Sequence, residues 1–159
     1  MNSENSWKIQ AICIAVAGLL AHGLLLLTDY QVWDGFITGG LLKNPAHWEH
    51  LVRWSTDSGK PLEPWMYFPL RGLNDVYFWG KVMSLASWIA IFIVISCLLP
   101  HLLGVPIWFA FGTSLIGVTL PFYEMLGVVN FVPYTVSLLA YWLAWHIHAK
   151  SLSKTKILK

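Results

Sequence analysis

The residues of this 159-residue chain that could do chemistry are a few acids and bases set in otherwise apolar sequence. Asp29 and Asp34 stand in TDYQVWDG, directly after the apolar run AVAGLLAHGLLLL, and Asp34 lies between Trp33 and Gly35-Phe36. A carboxylate held among aromatics close to lipid is partly desolvated; this raises its basicity and suits it to general-base work. Asp29 reads first as a polar edge residue just past an apolar segment, which leaves Asp34 as the stronger candidate for a base. Five positions apart, the two would point in different directions on a helix, so they are not read as an acid pair. Arg53, Lys60 and Arg71 are the cations available to a phosphate, arginine being suited to bidentate contact with an oxyanion. Each of the three reads more simply as a solvated surface charge. Glu124, in the short turn PFYEML, falls with Tyr123 and Asn130 on the same side of the membrane as the long loop and can line the same cavity.

Other groups carry less. His47 and His50 can share a helix face beside Glu49, but no spacing fixes a third metal ligand. His22, inside the first apolar run, reads as hydrogen-bonded within a bundle rather than as a haem ligand. His146 and His148 mark the end of the last helix, where imidazole sits well near the negative end of the dipole. Cys13 and Cys97 lie in apolar runs and read as small buried hydrophobes, with no disulfide framework. There is no glycine-rich nucleotide loop, no His/Cys metal signature and no serine nucleophile elbow. Nucleic acid is not among the expected partners.

The elements that must position these residues are membrane helices. The chain is 57% hydrophobic and only 11% charged, against roughly 25% charged in an average soluble domain. Ten tryptophans fit the headgroup zone, where an indole is apolar on one side and hydrogen-bonded on the other. The expected fold is all-α: one polytopic membrane domain over 1–159, with four transmembrane helices at about 9–27, 82–99, 102–120 and 126–145. The first would be about 28 Å long against roughly 30 Å of hydrocarbon, and it is read as a span rather than a cleaved signal. The third is separated from the second only by Pro100-His101, as a tight hairpin or, alternatively, a re-entrant segment. Lys150, Lys154, Lys156 and Lys159, with no acid among them, keep the tail cytoplasmic. Four spans then place the amino terminus, with Lys8, on the same side, in what would be a bacterial inner or cell membrane.

The loop from 28 to about 77 faces outward. It holds Asp29, Asp34, Glu49, Asp57, Glu63 and Asp75 against Lys43, Lys60, Arg53 and Arg71. Asn44 is suited to cap a short amphipathic helix with Pro45 at its first position, and Gly59 and Pro61 to stop it. That helix would lie along the outer membrane surface or pack on other parts of the loop. Three prolines from Pro61 to Pro69 predict extended chain. Asn74 or Asp75 could cap the second span, with Lys81 snorkelling outward. Gly35 and Gly39 have GxxxG spacing, but in the loop rather than in a span.

This pattern resembles the amino-terminal part of GT-C-type integral membrane glycosyltransferases. An apolar first helix leads into a short acidic segment, then a long outward loop, then closely spaced helices. The stretch HGLLLLTDYQVWDGFI looks like bacterial members that carry an aspartate-glycine-aromatic step after the first helix, here Asp34-Gly35-Phe36. The resemblance implies that an acid of the first external loop is essential, as catalytic base or as contact to a divalent metal. By position that role falls to Asp34, with Asp29 competing. It also implies a polyprenyl-phosphate sugar as donor, transferred on the outer face by displacement at the anomeric carbon while a cation such as Arg71 or Lys60 steadies the leaving phosphate. It covers about the first 100 residues, and family enzymes have many more helices. The chain is therefore read as a transferase or as a reduced module that assembles in the membrane lipid with another membrane-protein subunit. The alternative is a small non-enzymatic membrane scaffold or accessory subunit. A channel or transporter is less attractive, because the spans lack charges away from their ends.

Overall fold

The structure, a computed structural model, describes residues 3–28, 33–121 and 129–157, with the backbone alone for 3–5, 33, 34, 36, 130 and 152–157. Among the described residues there are seven α-helices and no strands: α1 (Ser3–His22), α2 (Trp33–Lys43), α3 (Trp48–Asp57), α4 (Glu63–Tyr67), α5 (Val76–Leu103), α6 (Ile107–Thr119) and α7 (Val132–Ile157). Among the described residues two stretches are long and apolar enough to cross a membrane: Ser6–Leu27, 22 residues, and Val76–Leu103, 28 residues. The first consists of α1 and the 3-10 turn Gly23–Leu27 that extends it.

Two boundaries differ from the sequence expectation. Pro100 does not end the second apolar helix: α5 continues through it to Leu103, and the break comes at Gly104–Pro106, where Gly104 has φ 65°. Within an apolar bundle the carbonyl freed by a proline can be re-satisfied locally, so the helix need not stop there. The third apolar segment is correspondingly shorter. Helix α6 has 13 residues, about 20 Å of helix, well under the roughly 30 Å of hydrocarbon.

The chain divides into two compact units. One comprises Met1–Gly23, Ser87–Pro121 and Ser137–Lys159. Here α1 packs on α6, Gly18 faces Ile89 and Val118, and Ile14, Ile91, Leu98, Ala110 and Val118 are among the buried residues. His22 is fully buried and its Nε2–H donates to the Val118 carbonyl at 2.8 Å, the bundle hydrogen bond its position predicted. Cys13 departs from expectation. It is exposed on α1, whereas Cys97 is half-buried.

The other unit comprises Leu24–Ala86 and Phe122–Val136. Its core is built from Leu42, Leu51, Tyr67, Leu70, Val76, Val129 and Val132. The segment read as loop around Gly35 and Gly39 is in fact helix α2, with Gly35, Thr38, Gly39 and Leu42 buried. That i, i+3, i+4, i+7 set is one helix face, and its small residues admit close neighbours. Gly39 lies directly against the Tyr77 ring, and the Lys43 ammonium at the end of α2 sits 4.7 Å from the centre of the same ring. The Leu42 carbonyl accepts from Gly72 N–H at 2.9 Å, which ties the end of α2 to the turn before α5.

Candidate functional site

Local sequence signals set the frame of this second unit. The Asn44 side chain accepts from Ala46 N–H at 3.0 Å, and Pro45 opens the 3-10 turn that leads into α3. At the other end Lys60 N–H donates to the Ser55 carbonyl at 2.8 Å and Gly59 N–H to the Thr56 carbonyl at 3.0 Å. These are the paired bonds of a Schellman stop, with Gly59 at φ 77° supplying the left-handed residue. Leu51 and Ser55 of α3 are buried, so the apolar face left open to two uses packs on the unit's own core. Asp75 Oδ1 accepts from Phe78 N–H at 3.2 Å and caps α5.

The segment from Pro61 to Pro69 is not extended. It forms α4 and the 3-10 turn Phe68–Leu70. Each of these elements has its proline in the first or second position, where a missing N–H costs no helical bond. This correction matters for the site, because helix brings Glu63 under Tyr67. The Tyr67 hydroxyl donates to Glu63 Oε1 at 3.4 Å. Lys60 Nζ pairs with Glu63 Oε2 at 3.7 Å and donates to the Tyr134 hydroxyl at 3.3 Å. Burial first, then the Glu63 charge, push the Tyr67 hydroxyl well above the ordinary tyrosine range. The Tyr134 hydroxyl first, then the Glu63 charge, raise Lys60 and hold it as the ammonium.

Arg71 follows this turn. Its Nη2 donates to the Pro45 carbonyl at 3.2 Å, and its guanidinium carbon lies 5.4 Å from the centre of the Trp48 ring. The guanidinium stays exposed and keeps further donors for an oxyanion. Arg53 is exposed on α3 and makes no hydrogen bond or ion pair among the described residues. Lys81, expected to snorkel outward, is instead buried, its ammonium donating to the Thr28 carbonyl. A backbone carbonyl stands in for water around that charge.

Of the expected site residues, Asp34 is the second residue of α2, described by its backbone alone. Asp29 and Glu124 lie outside the described residues. Lys60 and Arg71 are both in the second unit, each with protein partners of its own. Sequence reasoning missed Glu63, Tyr67 and Tyr134. The Lys60, Glu63, Tyr67 spacing of i, i+3, i+7 was available as a signal, but it has meaning only on a helix. Among the described residues no three His, Cys, Asp or Glu side chains gather to hold a metal ion; Asp29 and the Asp34 side chain, the acids that the family resemblance would offer a metal, are not among them. Comparison with protein-family models, with curated proteins and with solved structures gives no match for this chain.

Proposed function

We propose that the chain is a GT-C-like membrane glycosyltransferase, or a reduced module of one, acting on a polyprenyl-phosphate sugar at the external membrane face. The observation that carries the reading is the order of elements at the Asp34 step. The apolar helical stretch Ser6–Leu27 is followed, after residues 28–32, by helix α2, which has Asp34-Gly35 in its first turn and is pinned by Gly39 to the start of the second apolar helix. A base for lipid-borne chemistry belongs at the edge of an apolar stretch, and the position of Asp34 in the sequence supports that reading. In this reading α1, α5, the shorter α6 and α7 form the membrane part, with both termini cytoplasmic and the segment from 28 to about 77 outside.

The step balances without a metal, and none is assigned. Asp34 takes the proton of an acceptor hydroxyl as its oxygen bonds to the anomeric carbon of the donor. The bond from that carbon to the phosphate oxygen breaks, and its electron pair leaves with the polyprenyl phosphate. Arg71, with guanidinium donors still open, steadies that developing charge, and Lys60 and Arg53 add positive potential.

One observation favours the second reading, a non-enzymatic scaffold. Lys60 is engaged by Glu63 and Tyr134, and Arg71 by Pro45 and Trp48, as structural ties would be. Turnover separates the two. Protein reconstituted with a polyprenyl-phosphate sugar and a lipid extract should release polyprenyl phosphate, and Asp34→Asn should abolish release with helicity intact. A chain that folds, holds the donor and gives equal release with either residue supports the scaffold.

A further inference from the structure

We infer that the ridge formed by Leu62, Trp65 and Phe68 is a foot that settles in the phospholipid headgroup layer, an inference that rests on the membrane reading above. Leu62 is 69%, Trp65 57% and Phe68 52% exposed. Three large apolar side chains at i, i+3 and i+6 on one short helical segment form a continuous exposed strip. Ring contacts extend it: Trp48 meets Trp65 edge-on at 5.9 Å and Phe68 at 5.7 Å, and the Trp65 and Phe68 rings lie 6.5 Å apart at 31°. The strip ends at Arg71, stacked on Trp48. It is thus aromatic in the middle and cationic at the rim.

The charge pattern selects the occupant. The one acid in the strip, Glu63, has a side chain only 13% exposed and is held by Lys60 and Tyr67. What faces outward is indole, phenyl and isobutyl groups flanked by the Lys60 ammonium and the Arg71 guanidinium. Indole and guanidinium are the groups that settle at headgroup depth, where ring and stem meet hydrocarbon while N–H groups meet phosphate and ester oxygens. Continuity points the same way. The same unit contains Leu24 and Leu27, exposed at the end of the first apolar stretch, and the opening turns of α5 with Trp79 exposed. The amphipathic α3, read from sequence as lying along the membrane surface or packing on the rest of the loop, buries Leu51 and Ser55 in the core, which leaves α4 with its following turn for the surface.

Spin labels on the full chain in phospholipid nanodiscs test this, with Cys13→Ser and Cys97→Ala as background. Labels go on Phe68→Cys and, separately, Leu62→Cys, so that one misbehaving variant does not decide the result. Asp57→Cys serves as the water reference and Leu20→Cys, 80% exposed on the apolar stretch, as the hydrocarbon reference. At positions 62 and 68 the ratio of oxygen to nickel-chelate collision should exceed that at 57 by about threefold and stay below that at 20, as headgroup depth requires. A ratio at 62 and 68 equal to that at 57 overturns the foot, as does shielding from both reagents, which would mean a protein partner. A water-like ratio that changes on adding a soluble linear oligosaccharide overturns it in favour of a glycan platform. A water-like label at position 20 would overturn the membrane reading together with the foot. Donor turnover plays no part in these ratios, so the foot and the transferase chemistry fail separately.

Discussion

The Tyr77 ring occupies the space that a Cβ at position 39 would need, so α2 and the first turn of α5 meet across Gly39 with no room for a side chain. Replacing Gly39 by alanine forces the ring or the helix to move. Overpacking of this kind costs about 1–3 kcal/mol, more than the gain in helix propensity of under about 1 kcal/mol. Gly39→Ala should therefore lower the denaturation midpoint, and adding Tyr77→Ala should recover part of the loss, non-additively. A Gly39→Ala protein more stable than the parent would show that the contact is not close.

Tyr67 makes stability fall at high pH. Its folded value lies above the ordinary 10.0 of the exposed residue, so above about pH 10 the unfolded chain loses this proton while the folded chain keeps it. The contribution is whole below that pH and declines as pH rises toward the folded value. Lys60, also raised but largely exposed, acts in the same direction and adds little. Tyr67→Phe should flatten the fall in denaturation midpoint between about pH 9 and 11. Parallel curves for parent and variant would contradict the assignment.

The Lys60–Glu63 pair is open to water on the lysine side, so its worth is small. A double-mutant cycle of Lys60→Met and Glu63→Gln should give a coupling of about 0.2–1 kcal/mol, shrinking in high salt. Glu63→Leu is expected to cost more than Lys60→Met, because it also leaves the buried Tyr67 hydroxyl without its carboxylate acceptor.

Asn44 should be a mild site to remove. Asn44→Ala gives up one capping bond, about 1 kcal/mol, and Asn44→Asp should retain it. Unfolding of the two variants side by side checks this.

What the sequence made legible was punctuation whose chemistry is local. Asn44-Pro45, Gly59 and Asp75 act through their own backbone neighbours, and each does what its type predicts. His22 found its partner for a similar reason, since a buried imidazole must have one. The misreadings arose where tertiary contact gives a residue its meaning. Gly35 and Gly39 weaken a helix taken alone, and only Tyr77 shows why the small face is needed. Pro64 and Pro69 argue for extended chain unless each sits at the start of its own short helix. Lys81 reads as a snorkelling residue until the Thr28 carbonyl is brought within reach. For the candidate site, Asp34 and the cations Arg53, Lys60 and Arg71 were proposed from residue type alone. Glu63 and Tyr67 were missed because the helix that joins them was, and Tyr134, on α7, because only tertiary contact brings it to Lys60.

The central claim is that this chain holds a phosphate-linked sugar lipid. Native mass spectrometry of the protein in nanodiscs, offered a polyprenyl-phosphate sugar alongside ordinary phospholipids, tests it most directly. The account predicts selective retention of the sugar lipid, weakened by Arg71→Ala and preserved in Asp34→Asn. Retention no better than that of bulk phospholipid, in well-folded protein, would contradict it.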